Sequence, residues 1–403
     1  MRRLKVLEVL EASVGGARKH VLQILHGLDR ERFELHLACS VERDPATSEA
    51  IGALRADGIR VEVVRMLRRP APFADLAALR RLARLIRGER YDIVHTHCAK
   101  AGFLGRRAAW KAGVPAVLHT PHCFPFQRVD TPLVGLYRWL ERRAARWAHR
   151  IVLVADSQRQ VALDAGICPE EQLAVIRNGI ELPSETPERL RRRYREELGL
   201  RDAELAVAFV GRVTPQKDVQ TFLSMAEALL SGVPKVALFL VGSTDDESYL
   251  RSLRPPVSQE ARAVVAGGVG AGEPPLWRPS LPVRTLGHRA DAAELVAAFD
   301  AVVLPSRYEG LPYSLLEAMA CGVPAVASDV TGCCDVIEDG VTGFLVPPGR
   351  ASAFAQKTAQ LLGNADLRRR MGAAARERVA SGFTVERFLD RLAALYESLL
   401  PAS

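Results

Sequence analysis

Short β-rich runs alternate with helical patterns in two series, and nothing else in this 403-residue sequence restricts the fold as much. The first series reads KVLEVLEA, ELHLACS, VEVVRM, DIVHTHC, AVLHT and RIVLVAD, with helical patterns such as His20 to Leu28, Asp75 to Arg87 and Gly102 to Ala112 between the runs. The second reads AVAFVGR, VALFLVG, VRTLGH, AVVLPS, AVASD and GFLVPPG. Parallel strands need a crossover, usually a helix, so the alternation predicts βαβ units and parallel sheets covered on both faces. The series breaks near residues 177 to 200, where Gly and Pro precede a strongly charged helical stretch. That break places a linker at Gly179 to Thr186 and predicts an α/β protein of two doubly wound, Rossmann-like domains, 1–180 and 181–384. Ligands are expected at the carboxyl ends of the strands, in the cleft between the domains. Residues 385–403 have a helical apolar period and are expected to pack across the two.

Composition narrows the classes of function. With 48% hydrophobic and 25% charged residues the chain has an ordinary globular balance, which argues against extensive disorder. The seven cysteines are odd in number and show no CxxC or zinc spacing, so they read as reduced thiols of a cytoplasmic protein. In MRRLKVLEVLEAS, Lys5, Glu8 and Glu11 interrupt the apolar residues, giving a first strand rather than an export signal. No uncharged stretch approaches the ~20 residues of a membrane helix. A net charge of +8 and a pI of 9.3 favour an anionic partner. In YRWLERRAARWAHR, Arg138, Arg142, Arg146 and Arg150 recur every four residues, predicting one basic stripe on a helix flanked by Trp139 and Trp147. A solvated face and a site for anionic lipid head groups are both open. No helix-turn-helix, zinc-finger or aromatic-basic pattern supports nucleic acid as the partner. Between Arg254 and Pro282 the pairs Pro255-Pro256 and Pro274-Pro275 and the run GGVGAG predict a long surface loop.

Chemistry concentrates at strand ends. PSRYEGLPYSLLEAMACGVP, residues 305 to 324, holds Glu309 and Glu317 around a Gly-Leu-Pro turn that opens a helix. Gly310 lets the backbone approach a ligand, Pro312 suits the first helical turn, and the helix start offers N–H groups to a diphosphate. A carboxylate accepts from two vicinal hydroxyls, which suits a sugar; a capping or solvated glutamate is the plain alternative. Arg212 and Lys217 flank the loop in FVGRVTPQKD directly after a strand, where two fixed cations suit an anionic group, the alternative being a surface ion pair with Asp218. Gly15 and Gly16 fall short of a GxGxxG fingerprint but open a helix with free N–H groups. One of His95 and His97 is expected to point inward, and His119 and His122 end the AVLHT run. The HxH pair has no third ligand of zinc spacing, and Asp245-Asp246-Glu247 reads as a helix cap. With Arg212, Lys217 and a helix N-terminus at hand, neither a metal nor another cofactor is expected.

In this order the motifs FVGRVTPQKD (209–218), PSRYEGLPYSLLEAMACGVPAVAS (305–328) and IEDGVTGFLVPPG (337–349) resemble the retaining glycosyltransferases of family 4, which have the GT-B fold. GGARKHV (15–21), HTHCAKAG (95–102) and HTPHCF (119–124) extend the resemblance over nearly the whole chain apart from 254–282. It implies a GT-B enzyme whose two domains face a deep cleft. The N-terminal domain would bind the acceptor, and the C-terminal domain a UDP- or GDP-sugar donor. It implies that Glu317 accepts from ribose hydroxyls, that Glu309, next to Gly310 and Leu311, contacts the transferred sugar, and that Arg212 and Lys217 hold the diphosphate opposite Gly15 and Gly16. Gly287 and His288 would lie near the base, His122 would face the donor sugar, and His97, Lys100 and His119 would line the acceptor side. Asp335 stands where relatives often carry glutamate. The implied reaction is a front-side displacement onto a sugar or lipid-linked sugar in polysaccharide or glycolipid synthesis, in the cytoplasm or peripherally at the inner membrane face. A sugar-nucleotide epimerase shares the two-domain plan, but the paired glutamates and GRxxxxKD argue against it.

Overall fold

In the computed structural model the described residues are 2–400 except 12–14, 43–46, 68–69, 128–131, 234, 245, 255–256, 267–274 and 279. They form two compact units, Met1–Gly179 with Val385–Ser403, and Ile180–Thr384.

The first unit is built on β1 (Leu4–Leu10), β2 (Phe33–Cys39), β3 (Arg60–Val63), β4 (Ile93–His97), β5 (Ala116–Thr120), β6 (Arg150–Leu153) and β7 (Leu173–Val175). All pairings are parallel, in the order β3-β2-β1-β4-β5-β6-β7. Both faces are covered, which is why the strands read as nearly unbroken apolar runs. Along β1, Val6 and Leu10 join a cluster with Ile24, Leu37, Phe388 and Leu392, while Leu7 and Val9 join another with Leu82, Ile86 and Val94. β7 has only three residues, too few for alternation to show in the sequence.

The Val385–Ser398 helix completes this unit. Phe388, Leu392 and Tyr396 recur every four residues on its buried face and pack into the cluster of β1 and the Gly15–Gly27 helix. Burying Phe388 and Leu392 contributes about 1.5–3 kcal/mol each.

The four-arginine stripe does not form. The helix spans Val134–Ala145, Arg146 caps it, and Arg150 already belongs to β6. Trp147 is the physical reason: it is 4% exposed, and tight turns from Trp147 N to Ala144 O and from Ala148 N to Ala145 O take the chain off the helix and tuck the indole against Phe103. Arg142 is drawn aside to Ala165 O at 2.7 Å. The exposed face that is left carries Leu133, Leu136 and Trp139 with Arg138 and Arg143.

The second unit contains β8 (Leu205–Val210), β9 (Val236–Val241), β10 (Leu276–Arg278), β11 (Leu281–Gly287), β12 (Ala301–Leu304), β13 (Ala325–Ser328) and β14 (Gly343–Val346), ordered β10-β11-β9-β8-β12-β13-β14. Only β10 pairs antiparallel, at the edge. The charged Pro187–Glu197 helix is capped by the Thr186 side chain and buries Leu190 and Tyr194 against the sheet. The expected surface loop at 254–282 is partly regular instead. A Gln259–Val265 helix, capped by Ser258, buries Ala261, Val264 and Val265, and Trp277 of β10 is fully buried. Pro255, Pro256, the GGVGAG run and Pro274 lie outside the described residues. All seven cysteines are free. Among the described residues no helix is long and apolar enough to cross a membrane.

Candidate active site

The order of the second sheet reverses between β8 and β12, so the loops leaving the carboxyl ends of these adjacent strands frame a crevice of the kind that takes ligands in open α/β sheets. They are the Gly211–Asp218 loop and the Pro305–Gly310 loop. Arg307 N donates to Gln216 O at 2.8 Å, and Gln216 Nε2 donates to Tyr308 O at 3.1 Å. These bonds bring Lys217 Nζ to 2.6 Å from Glu309 Oε1, with the two side chains only 13% and 6% exposed. Asp218 does not pair with Lys217: its carboxylate faces Arg307 Nε at 3.3 Å and accepts from Thr221 Oγ1 at 2.9 Å. Shielding from water makes the Lys217–Glu309 attraction stronger than that of a surface pair.

Two glycines let backbone segments touch beneath these loops. A Cβ on Gly332, at φ +81°, would stand 2.0 Å from Gly310 O, and a Cβ on Gly242, at φ +145°, would stand 1.9 Å from Gly211 O. Gly242 N also donates to Gly287 O at 2.7 Å, which ties the end of β11 to the same floor; His288 beside it is exposed.

The Tyr313–Ala320 helix starts from this floor. Pro312 is its N-cap rather than a first-turn residue, and no side chain caps it. Leu311 and Gly310 are buried, and Glu317 is half-buried within the helix. Burial, then the Glu317 charge, push the Cys321 thiol up to about 12 and the Tyr313 phenol well above its usual range. Buried hydroxyls without a partner occur on all three segments: Thr214, Ser306 and Ser314. Orphaned buried hydroxyls are uncommon, and their concentration here fits a polar ligand. Asp246 caps the Glu247–Ser252 helix by accepting from Tyr249 N; Asp245 lies outside the described residues.

In the first unit, Gly15 and Gly16 open the Gly15–Gly27 helix and are exposed, with Gly15 at φ +63°. Both His95 and His97 point to one face, because strand side chains repeat with period two, and both are fully buried. They meet Glu8, Tyr396 and His122. His97 Nε2 lies 2.6 Å from Glu8 Oε2, and His97 Nδ1 lies 3.2 Å from His122 Nε2. Tyr396 Oη donates to Glu8 Oε1 at 2.8 Å and lies 2.7 Å from His95 Nδ1; His95 Nε2 lies 2.8 Å from Thr120 Oγ1. Burial drives His20 and His97 down to about 3, and lowers His95 and His122 well below the usual imidazole range. Burial also raises Glu8, opposed by His95 and by the Tyr396 bond.

His119 does not join this group. Across the strands it is partnered with Thr96, on the other face of the sheet, where its ring fills the space a Cβ on Gly102 would need at 2.3 Å. Its assignment to the acceptor side fails for that reason: it is a core residue. Lys100 is held by Asp75 at 2.7 Å.

Residues 15–179 match the sequence family described as "Glycosyl transferase 4-like domain", and residues 204–364 match "Glycosyl transferases group 1". The D-inositol 3-phosphate glycosyltransferase of Nocardia farcinica is 31% identical over 80% of this chain and 69% of its own. The chain belongs to the group 1, family 4-like glycosyltransferases. Among its relatives, the UDP-Gal:alpha-D-GlcNAc-diphosphoundecaprenol alpha-1,3-galactosyltransferase of Escherichia coli is 28% identical over 98% of this chain and 97% of that one. The crystal structure of Anabaena Alr3699/HepE in complex with UDP and glucose superposes with a TM-score of 0.77 at 22% identity, covering 98% of this chain and all of that one. The fold is therefore GT-B.

For this glycosyltransferase, sequence reasoning missed Gln216 and Arg307, which clasp the loops after β8 and β12, and Glu8, His20 and Tyr396, which surround His97 and His122. Gln216 stands inside the motif it serves and Glu8 is a lone carboxylate in an apolar strand, so both had a signal; Tyr396 looks like any residue of an apolar helical stripe. Among the described residues two triads bring ligating atoms within 4.8 Å, His20/His97/His122 and Glu8/His95/His97. They share His97, whose two nitrogens already face Glu8 and His122.

Proposed function

We propose that this enzyme is a retaining glycosyltransferase that takes a sugar from a nucleoside-diphosphate donor and passes it to a lipid-linked or polysaccharide acceptor. The observation that carries this reading is the Lys217–Glu309 pair at the β8/β12 switch point, with an uncapped helix N-terminus after it. A departing diphosphate accumulates negative charge, and Lys217 and Arg212 stabilise that charge most in the transition state. When the diphosphate draws Lys217, Glu309 is released to accept from vicinal hydroxyls of the transferred sugar, while Glu317 accepts from the ribose. His122 is assigned to the sugar by the resemblance of HTPHCF. The departing phosphate oxygen takes the acceptor proton on the face it leaves, so configuration is retained and no separate general base is required. Lys217, Arg212 and the helix start supply the positive charge a metal would otherwise bring.

The E. coli relative's name specifies a diphosphoundecaprenol acceptor, which supports a lipid-linked acceptor here. The exposed Leu133, Leu136 and Trp139 beside Arg138 and Arg143 suit an anionic lipid surface.

Thermal unfolding with UDP-, GDP- and ADP-sugars tests the donor site. The cognate donor at 100 times its Kd adds about 2.7 kcal/mol of stability, and no shift with any of them would sink the reading. The anomeric configuration of the product, read by proton NMR, tests retention; an inverted product would sink that part alone.

A further inference from the structure

The buried polar group of the first unit has a direction. At a pH above its raised pKa Glu8 is a carboxylate, and it then accepts two short hydrogen bonds, 2.6 Å from His97 Nε2 and 2.8 Å from Tyr396 Oη. Tyr396 has one hydroxyl proton and gives it to Glu8, so its oxygen must accept from His95 Nδ1–H, and His95 Nε2 then accepts from Thr120 Oγ1. A neutral imidazole carries one proton. With Nε2–H pointing at Glu8, His97 has a bare Nδ1, and the contact at 3.2 Å must be a bond donated by His122 Nε2–H. His122 is left with a bare Nδ1 on a half-buried ring.

Neighbouring groups reinforce this order. His20 Nδ1 faces Asn178 Oδ1 at 2.9 Å, so its proton sits there, and its buried Nε2 has no partner. The His20 ring stands edge-on to His122 with centroids 4.8 Å apart, adding an acceptor and no donor. The backbone of His122 is in the left-handed region at φ +58°, and its carbonyl accepts from Gln158 Nε2 at 2.7 Å, which pins this conformation.

We propose that Glu8 and His97, anchored by Tyr396, are positioning residues that fix His122 as the Nε2–H tautomer, so that its bare Nδ1 accepts a hydrogen bond from a hydroxyl of the transferred sugar. This rests on the reading that His122 contacts the sugar. It implies selection among sugars: the hydroxyl at that position must donate, and a deoxy or O-methyl sugar there leaves Nδ1 unpaired.

Nitrogen-15 NMR of the histidine side chains in the intact enzyme, with His122→Gln to assign the signal, reads the tautomer directly. The expected result is a protonated Nε2 and a bare Nδ1 at His122; a protonated Nδ1 overturns the proposal without any variant having to fold. Glu8→Leu is expected to mix the tautomers and lower kcat roughly tenfold, the size of one lost hydrogen bond, whereas Glu8→Gln, which can still accept from His97, restores both. If His122→Ala lowers kcat but Glu8→Leu changes neither rate nor tautomer, the relay is wrong and the sugar contact stands. Normal kcat in His122→Ala means the sugar contact itself is wrong.

Discussion

Tyr396 donates its hydroxyl to Glu8 at 2.8 Å across 388 residues of chain, and so ties the last helix to the first strand through a fully buried carboxylate. Its ring fills core space and its hydroxyl satisfies one of the costliest groups in the unit. Tyr396→Phe keeps the packing and removes the donor. Unfolding free energy is expected to fall by roughly 1–3 kcal/mol, measured by denaturant titration. An unchanged midpoint would show that Glu8 finds another donor.

Lys217→Ala is expected to lower kcat by about 10²–10³, the cost of losing one preorganised charge-stabilising donor. Glu309→Gln, which keeps the shape but no longer attracts Lys217, should also lose transfer. Both proteins should retain the circular dichroism of the parent, since the sheet does not depend on the pair. Near-normal transfer by both folded variants would refute the assignment of this site.

Gly332→Ala places a methyl group where Gly310 O now sits, at a backbone angle that L residues rarely adopt. The Glu309–Gly310 loop must move or Gly332 must unwind. Roughly 1–3 kcal/mol of strain is expected, with donor binding weakened, read as a smaller thermal shift with the sugar nucleotide. A variant with unchanged melting and donor affinity would mean the two loops are not packed as described.

Stability should depend steeply on acid pH. His20 and His97, lowered by burial to about 3, are neutral in the fold, whereas in the unfolded chain they take a proton near 6.5. Below 6.5 the unfolded state therefore binds more protons, so stability present above 6.5 is lost progressively as pH falls toward 3. His95 and His122 act in the same direction. Glu8, raised by burial, has the opposite sign, its contribution being lost as pH rises from 4.5, and it offsets only part of the histidine effect. Melting temperatures from pH 7.5 to 4 check this, and a flat profile would contradict it.

Trp139→Ser with Leu136→Ser should reduce sedimentation with vesicles rich in anionic phospholipid at low salt, leaving transfer to a soluble acceptor analogue unchanged. Equal sedimentation of parent and variant would remove this face from membrane contact.

Much of the fold was legible because its signals are local. Twelve of the strands announced themselves as apolar runs between helical patterns. β7 and β10 escaped because three residues carry no period, and the arginine spacing misled because a stripe every four residues says nothing about where a helix must stop to bury Trp147. Lys217 and Glu309 stand out in their motifs, but their contact does not.

The sequence by itself determined the two mainly parallel sheets, the loops at their carboxyl ends and the family, because period, turn chemistry and motif order are written along the chain. Only the tertiary structure decided that Lys217 faces Glu309 rather than Asp218, that His119 lies on one face of its sheet with Thr96 while His97 meets His122 on the other, and that Tyr396 returns to Glu8. Those facts depend on which strands become neighbours and on which face a side chain emerges. A buried charge selects its partner by distance in space, and chain separation does not enter that energy.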